Sequence, residues 1–200
     1  MQMGFYFNQE LCTHCCACVV ACKDWHDVPA GPASYIRISV IEKGKFPEVS
    51  MCAMFGTCYH CVEPACVSAC PAEAITKRDA DGIVVVDREA CLGRDECGVC
   101  KEACPYDAPQ FGAEENAKMQ KCDLCLDRLS DNKGPICVEA CNYIALDFGP
   151  IETLRAKYGD IRRADGFVYD AGLVPSIVFK PLKDEKGLTI QKTTIMPPKD

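Results

Sequence analysis

The sequence predicts a small α+β fold that is built from two similar units and ends in an extended C-terminal tail. Three observations support this prediction. Eighteen of the 200 residues are cysteines, and sixteen of them fall into four short groups with related spacing. A β-hairpin pattern lies between the second and third groups, and a polar segment follows the fourth.

All four cysteine groups contain a C-x2-C pair and end in C-x3-C. They are group one (Cys12, Cys15, Cys18, Cys22), group two (Cys58, Cys61, Cys66, Cys70), group three (Cys91, Cys97, Cys100, Cys104) and group four (Cys122, Cys125, Cys137, Cys141). Three thiolates on a short loop can bind three irons of a [4Fe–4S] cluster, and in two-cluster ferredoxins the fourth cysteine binds the other cluster. The groups therefore predict four [4Fe–4S] clusters and a role in electron transfer.

Two other uses of cysteine fit the pattern less well. Disulfide scaffolds are typical of short secreted chains that cannot build a core, whereas 200 residues are enough for one. Zinc sites have roughly a dozen residues between two ligand pairs, which only the gap from Cys125 to Cys137 resembles. His14 and His60 lie inside C-x2-C loops and could be ligands, but with sixteen thiolates present we expect them to be loop residues near the clusters.

Two cysteines belong to no group. Cys16 lies between Cys15 and Cys18, so its side chain must point differently from those of its neighbours. Cys52 lies shortly before group two. We expect both to be small buried apolar residues rather than ligands.

Charge and hydropathy narrow the classes of partner. The net charge of −7 argues against a nucleic-acid partner. No apolar stretch approaches the ~18 residues of a membrane span, and residues 1–10 lack the basic start and apolar core of a signal peptide. We therefore expect any membrane contact to be made through another subunit. The compartment stays open: cytoplasmic, membrane-associated through partners, or exported with a partner that carries the signal.

The hairpin pattern defines the inner of the two units. Residues 74–77 and 82–87 predict two strands, because Gly82 begins a β-branched run and residues 79–81 have turn character. This hairpin places groups two and three in one ferredoxin-like unit, and these two groups alone end in Cys-Pro. Groups one and four are left to pair with each other in a more divergent outer unit.

The predicted domains follow from this pairing. The outer ferredoxin-like unit covers residues 1–52 with 118–150, and the inner unit covers residues 53–117. Residues 151–200 predict a helix, Ile151–Tyr158, that is stopped by Gly159 and followed by an extended tail with one strand pattern at 176–180. The apolar content of this tail is too low for a separate domain, so we expect an arm that packs on the units or on a partner.

Four short motifs accompany the cysteine groups. They are Ala21–Asp24 (ACKD), Asp81–Asp87 (DGIVVVD), Ala103–Gln110 (ACPYDAPQ) and Ala145–Glu152 (ALDFGPIE). Together with the four groups, they make the chain resemble the iron–sulfur (β) subunits of the molybdopterin oxidoreductase (dimethyl sulfoxide reductase) family over about residues 4–160. The motifs are specific for the family and much less specific for one member, because the same subunit serves many catalytic partners.

The resemblance implies that each cluster takes three cysteines of one group and the last cysteine of its partner group. The implied quartets are the first (Cys12, Cys15, Cys18, Cys141), the second (Cys22, Cys122, Cys125, Cys137), the third (Cys58, Cys61, Cys66, Cys104) and the fourth (Cys70, Cys91, Cys97, Cys100). Group three departs from the family pattern, because Arg94, Asp95 and Glu96 lengthen it between Cys91 and Cys97. Since it keeps four cysteines, we expect a four-iron cluster there.

The resemblance also implies a non-catalytic subunit with four [4Fe–4S] clusters and no catalytic residue. Its expected partners are a large molybdopterin-containing catalytic subunit, with molybdenum or tungsten, and a membrane quinone-linked anchor subunit or a soluble electron carrier. The outer unit is expected to dock on the catalytic subunit. The alternative is an independent soluble polyferredoxin, against which the tail after residue 150 argues, because a free carrier has little use for such an extension.

Overall fold

The computed structural model describes residues 1–183 and 186–196. Within these residues the chain forms short helices, two three-stranded sheets and a two-stranded hairpin, so the fold is mixed α/β. In chain order the elements are β1 (Met3–Asn8), α1 (Ala17–Trp25), β2 (Arg37–Lys45), β3 (Glu48–Gly56), α2 (Ala65–Ser68), β4 (Ile75–Lys77), β5 (Val84–Val86), α3 (Val99–Glu102), α4 (Leu126–Ser130), α5 (Ile136–Glu139), β6 (Leu146–Pro150), α6 (Ile151–Tyr158), β7 (Ile177–Lys180) and β8 (Ile190–Met196).

The first sheet joins distant parts of the chain around β1. This central strand pairs antiparallel with β6, where Phe5 lies opposite Phe148, and parallel with β7, where Phe5 lies opposite Ile177. All of β1 is buried, as expected for a strand that is covered on both faces. Helix α6 covers one face, with the ring of Tyr158 stacked on that of Tyr6 at a centroid distance of 3.6 Å. The predicted helix at 151–158 and the predicted strand at 176–180 are confirmed.

The second sheet is a long hairpin with the tail added to it. Strands β2 and β3 pair antiparallel from Arg37 opposite Gly56 to Lys45 opposite Glu48, and β8 pairs with the other edge of β2. The tail therefore packs back on the rest of the chain through β7 and β8, as an arm. This long hairpin was not expected from the sequence.

The main core lies between the two three-stranded sheets. The rings of Phe5 and Phe7 contact Phe55 of β3 at centroid distances of 5.7 and 5.8 Å, and Phe179 of β7 is fully buried in the same cluster. A smaller apolar cluster that includes Ile75, Val84, Phe111 and Met119 packs around the β4–β5 hairpin. That hairpin, with Ile75 opposite Val86, confirms the predicted one. Cysteines lie against both clusters.

The helices of the described chain are short. The longest is α1, with nine residues. No helix in residues 1–183 or 186–196 has the length and apolar character that crossing a bilayer requires.

Candidate metal centres

Each C-x2-C loop bends through the left-handed region of backbone conformation. The φ angles are 59° at His14, 45° at His60, 121° at Gly98 and 61° at Leu124. Residues of this conformation in a tight loop turn successive N–H groups toward one point, an arrangement that binds anions. The four loops are therefore shaped to surround a negatively charged group. Short helices also carry cysteines of the groups: Cys18 and Cys22 lie on α1, Cys66 on α2, Cys100 on α3 and Cys137 on α5.

The last cysteines of three groups are followed by the same turn. In each case the residue three positions later has a left-handed φ angle and donates its N–H to the cysteine's carbonyl. The pairs are Cys70 with Glu73 (51°, 3.2 Å), Cys104 with Asp107 (50°, 3.1 Å) and Cys141 with Ile144 (52°, 3.0 Å). Group one differs, because α1 continues past Cys22 to Trp25. The shared turn indicates that groups two, three and four follow a common local design.

The cysteines of the first quartet lie together although they come from opposite ends of the chain. Burial raises the pKa of Cys18 to about 12, and the largest neighbouring charges that add to this shift are Cys12 and Cys141. Burial also raises the pKa of Cys12, on which Cys141 and Cys15 act. Cys15 is exposed. The structure thus brings the first three cysteines of group one together with the last cysteine of group four.

The second quartet is assembled in the complementary way. Burial raises the pKa of Cys22, and Cys122 and Cys125 are the largest charges near it. The pKa of Cys137 is raised well above its usual value by burial, with Cys122 and Cys22 as its largest neighbours. The last cysteine of group one therefore lies among the first three cysteines of group four.

The two inner quartets are also gathered. For the third, burial raises the pKa of Cys61, and the charges that add to the shift are those of Cys58, Cys104 and Cys66. For the fourth, burial raises the pKa of Cys100 to about 11, and the charges that add to the shift are those of Cys91, Cys97 and Cys70. Groups two and three therefore exchange their last cysteines, as groups one and four do.

The cysteine thiolates of the four quartets suit [4Fe–4S] clusters as ligands. Burial holds the pKa of Cys66 at about 12 and that of Cys122 also at about 12, so thiolates at these places need a cationic core beside them. Backbone N–H groups also point at sulfur: the Ala145 N–H donates to Cys141 Sγ at 3.3 Å and the Leu124 N–H to Cys122 Sγ at 3.4 Å. Such N–H···S bonds stabilise cluster ligands and tune their potential.

The two cysteines outside the groups have different surroundings. Cys52 is buried in β3, where its Sγ lies 3.8 Å from Asp165 Oδ2 and 3.9 Å from Gln9 Nε2. Cys16 is half-buried and points its Sγ at the carbonyl of His14, 3.5 Å away. Its charge also acts on Cys18, so it lies beside the first quartet. Cys52 is therefore buried as expected, whereas Cys16 is only half-buried, and the expectation that neither is a ligand stays a prediction.

The two loop histidines lie inside the protein near the cysteines. The Nδ1 of fully buried His60 accepts a hydrogen bond of 3.0 Å from the Val84 N–H and lies 4.0 Å from Cys58 Sγ. Burial holds the pKa of His60 well below its usual value, so the ring is neutral. Neither His60 Nε2 nor His14 Nε2 has a hydrogen-bond partner among the described residues.

Two polar residues near the cysteines, His26 and Lys121, were not predicted from the sequence. His26 Nε2 lies 3.3 Å from Cys125 Sγ and 3.9 Å from Asp123 Oδ1. Lys121 is buried next to Cys122. The contact of His26 joins residues 99 positions apart, and no local pattern marks either residue. The ligand atoms of His26, Asp123 and Cys125 all lie within 4.8 Å of one another, and Cys125 is also one of the cysteines gathered near Cys22.

Comparison with protein families identifies one matching domain type. The sequence profile of the 4Fe-4S dicluster domain matches residues 49–151 of this chain. The matched stretch contains cysteine groups two, three and four and ends at the start of α6.

Curated proteins from several bacteria are similar to this chain. One chain of the anaerobic dimethyl sulfoxide reductase of Escherichia coli (strain K12) is 42% identical over 188 residues, which cover 90% of this chain and 89% of that protein. One subunit of the sulfite dehydrogenase of Allochromatium vinosum is 36% identical over 66% of this chain and 59% of its own length. The formate dehydrogenase-O iron-sulfur subunit of Escherichia coli (strain K12) is 33% identical over 62% of this chain and 45% of its own length.

Proposed function

Because the chain belongs to the iron–sulfur subunits of the molybdopterin oxidoreductase (dimethyl sulfoxide reductase) family, we propose that it is the electron-transfer subunit of a complex with a catalytic partner. It carries four [4Fe–4S] clusters and no catalytic residue. Electrons pass between a large subunit with a molybdenum or tungsten pterin cofactor and a membrane quinone-linked subunit or a soluble carrier. The observation that carries the proposal is the gathering of sixteen cysteines into four quartets, each drawn from two groups.

We assign one cluster to each quartet. The first is held by Cys12, Cys15, Cys18 and Cys141, the second by Cys22, Cys122, Cys125 and Cys137, the third by Cys58, Cys61, Cys66 and Cys104, and the fourth by Cys70, Cys91, Cys97 and Cys100. The mutual effects of these thiols on each other's pKa support the assignment. The same effects support an outer unit over 1–52 with 118–150 and an inner unit over 53–117. Because β3 crosses the boundary at residue 52, these are cluster-binding units within one continuous fold.

Electrostatic effects between cysteines of different quartets support a linear order. The charge of Cys18 acts on Cys22 and Cys137, which joins the first quartet to the second. Among the neighbouring charges, that of Cys58 has the largest effect on the pKa of Cys122, which joins the second quartet to the third. The charge of Cys100 acts on Cys66, which joins the third to the fourth. Bound [4Fe–4S] clusters take up and release single electrons without making or breaking a bond. Four clusters in this order would therefore give electrons a path from the first quartet to the fourth.

The surface near the first quartet suits a protein partner. Cys15 is exposed there. Val20, two residues after Cys18, is 67% exposed, and Ile144, in the turn that follows Cys141, is 76% exposed. Exposed apolar groups around a functional site mark interaction surfaces. We place the catalytic subunit here, so that electrons enter or leave at the first quartet and the fourth quartet faces the next carrier.

Co-purification tests this proposal. The tagged chain, expressed and purified without oxygen together with a large molybdopterin-containing subunit from the same organism, should hold that subunit at a fixed one-to-one ratio. Reduction through the large subunit should bleach the broad absorption of the clusters near 400 nm. Val20→Glu should weaken the complex and keep the iron. Phe46→Glu, a change at the tip of the β2–β3 hairpin where Phe46 is 91% exposed, is the matched control and should leave both the complex and the iron content unchanged.

Two outcomes would contradict the proposal. A protein that purifies alone with all its clusters and exchanges electrons equally with unrelated enzymes is the independent polyferredoxin. A complex that is weakened by Phe46→Glu but unaffected by Val20→Glu would move the docking surface away from the first quartet.

A further inference from the structure

Lys121 differs from the other buried cations of the described chain. Its side chain is buried, with 5% of the residue exposed. Its ammonium donates to two main-chain carbonyls, that of Val84 and that of Cys122, the latter at 2.9 Å. Among the described residues it has no carboxylate within ion-pair distance, whereas each of the other three buried cations has one. Those pairs are Lys43 with Asp165 (3.0 Å), Arg37 with Asp107 (3.9 Å) and Arg128 with Glu139.

A buried ammonium without a counter-charge is unfavourable, because neutral carbonyls replace only part of the hydration that burial removes. Asp123 and Arg88 line the same cavity as Lys121, but the ion pair that Asp123 makes is with His26, at 3.9 Å. A negative charge that balances Lys121 must therefore come from another source in the protein.

The position of Lys121 identifies that source. It directly precedes Cys122 of the second quartet, and its charge opposes the burial that raises the pKa of Cys66 in the third. The carbonyl to which it donates belongs to Val84, whose N–H binds His60, two residues after Cys58. The charge of Cys58 also has the largest effect of any neighbouring charge on the pKa of Cys122. Lys121 therefore lies where the second and third quartets come near each other.

We propose that Lys121 is the internal counter-charge of the electron path, which stabilises an added electron on the second and third clusters where the path crosses from the outer to the inner unit. This inference rests on the proposed function, because it requires clusters at both quartets. An oxidised [4Fe–4S] core with four thiolates carries about two negative charges, and each one-electron reduction adds a third. A fixed ammonium in a low-dielectric site favours the reduced form of both neighbours. Lys121 is not a cluster ligand and acts on the clusters only through its charge.

The competing explanation is purely structural, because the same two hydrogen bonds tie β5 to the loop of group four. Substitutions separate the two roles. Lys121→Gln keeps a hydrogen-bond donor and removes the charge, whereas Lys121→Arg keeps both. Lys23→Gln is the matched control: Lys23 directly follows Cys22, but its hydrogen bond to the Pro29 carbonyl, at 3.3 Å, is exposed to solvent, where water screens its charge.

The test is a potentiometric titration of the full chain, purified without oxygen and followed by EPR. In Lys121→Gln, two of the four midpoints should fall by a tenfold change in the reduction equilibrium, which is about 59 mV for a one-electron couple. The other two should stay unchanged, as should all four in Lys121→Arg and in Lys23→Gln. Iron content is measured on the same samples, so a failure of the four-cluster proposal would appear in the unmodified protein.

Unchanged midpoints in Lys121→Gln, or equal shifts of all four, would overturn the inference. If Lys121→Gln loses clusters, Lys121→Met and Lys121→Arg decide. Loss in both neutral variants with full retention in Lys121→Arg supports the counter-charge, since only the charge is common to the proteins that retain iron. Loss in all three would make the role structural and overturn the inference.

Discussion

The N–H of Ala145 donates a hydrogen bond of 3.3 Å to the Sγ of Cys141. The carbonyl of Ala145 accepts a hydrogen bond of 2.8 Å from the N–H of Asn8, the last residue of β1. One residue therefore holds a cysteine of group four and also begins the pairing of β6 with β1. Because β1 leads directly into group one, this pairing brings Cys141 to the cysteines at the other end of the chain.

We expect Cys141→Ser to remove the cluster of the first quartet and to leave that of the second. The reason is that Cys141 lies with Cys12 and Cys18, whereas the other cysteines of its own group lie with Cys22. The low-temperature EPR spectrum of the reduced variant should match that of Cys12→Ser. It should differ from that of Cys137→Ser, which serves as the comparison within group four. A Cys141→Ser spectrum that matches Cys137→Ser would show that each group binds its own cluster.

We expect the two cysteines outside the quartets to be dispensable for iron binding. Cys16→Ser and Cys52→Ser should keep the iron content and the EPR signals of the unmodified protein. Cys15→Ser and Cys18→Ser are the positive controls and should each lose a cluster. Cys16 makes this test sharp, because it lies beside the first quartet and its Sγ contacts the carbonyl of His14. Loss of one cluster in Cys16→Ser alone would change the membership of that quartet.

The elements that the sequence predicts are those with a strong local signal. The β4–β5 hairpin has a β-branched run after a turn, α6 ends at Gly159, and β7 is a short β-branched segment. The β2–β3 hairpin was missed because β2 contains Glu42, Lys43 and Gly44, which are poor strand formers. Their extended conformation comes from pairing with β3 and β8 and from the ion pair of buried Lys43 with Asp165 at 3.0 Å. Those interactions are long-range and have no local pattern.

The candidate site likewise has one part that the sequence predicts and one part that it does not. The cysteines are visible in the sequence because iron–sulfur ligation demands fixed short spacings. The polar residues around them are not, since their positions depend on the folded chain. His26 reaches Cys125 only because α1 ends beside the loop of group four, and Lys121 is recognisable only once its burial and its two carbonyl partners are known.

The two strands of the tail should contribute very differently to stability. The side chain of Phe179 in β7 is fully buried in the main core, so Phe179→Ala should lower the free energy of unfolding by about 3–5 kcal/mol. Strand β8 is mostly exposed, so a protein that ends after residue 183 should keep all its iron. Thermal loss of the absorption near 400 nm measures both effects. The exposed substitution Ile190→Ala is the control and should change the free energy by less than about 0.5 kcal/mol. Equal losses in Phe179→Ala and in the shortened protein would contradict this division.

The charged insertion in group three should affect electron exit if the fourth quartet faces the next carrier. Glu96 is a suitable position to neutralise, because it only accepts a hydrogen bond of 3.4 Å from Asn116 Nδ2, whereas Asp95 binds both the N–H and the side chain of Asn116 and shapes the loop. Glu96→Gln removes one negative charge and should slow electron transfer to the carrier, with a difference that shrinks as salt is added. Binding of the catalytic subunit should not change. A solvated loop with no partner would give identical rates. A complex in which Cys91 and Cys97 face the pterin-bearing subunit would reverse the direction proposed.

The iron stoichiometry of the protein, prepared without oxygen and examined by metal analysis and Mössbauer spectroscopy, tests the central claim most directly. Four clusters require about sixteen irons per chain, all in [4Fe–4S] form. A protein that holds about eight irons, or mostly zinc, would contradict the account.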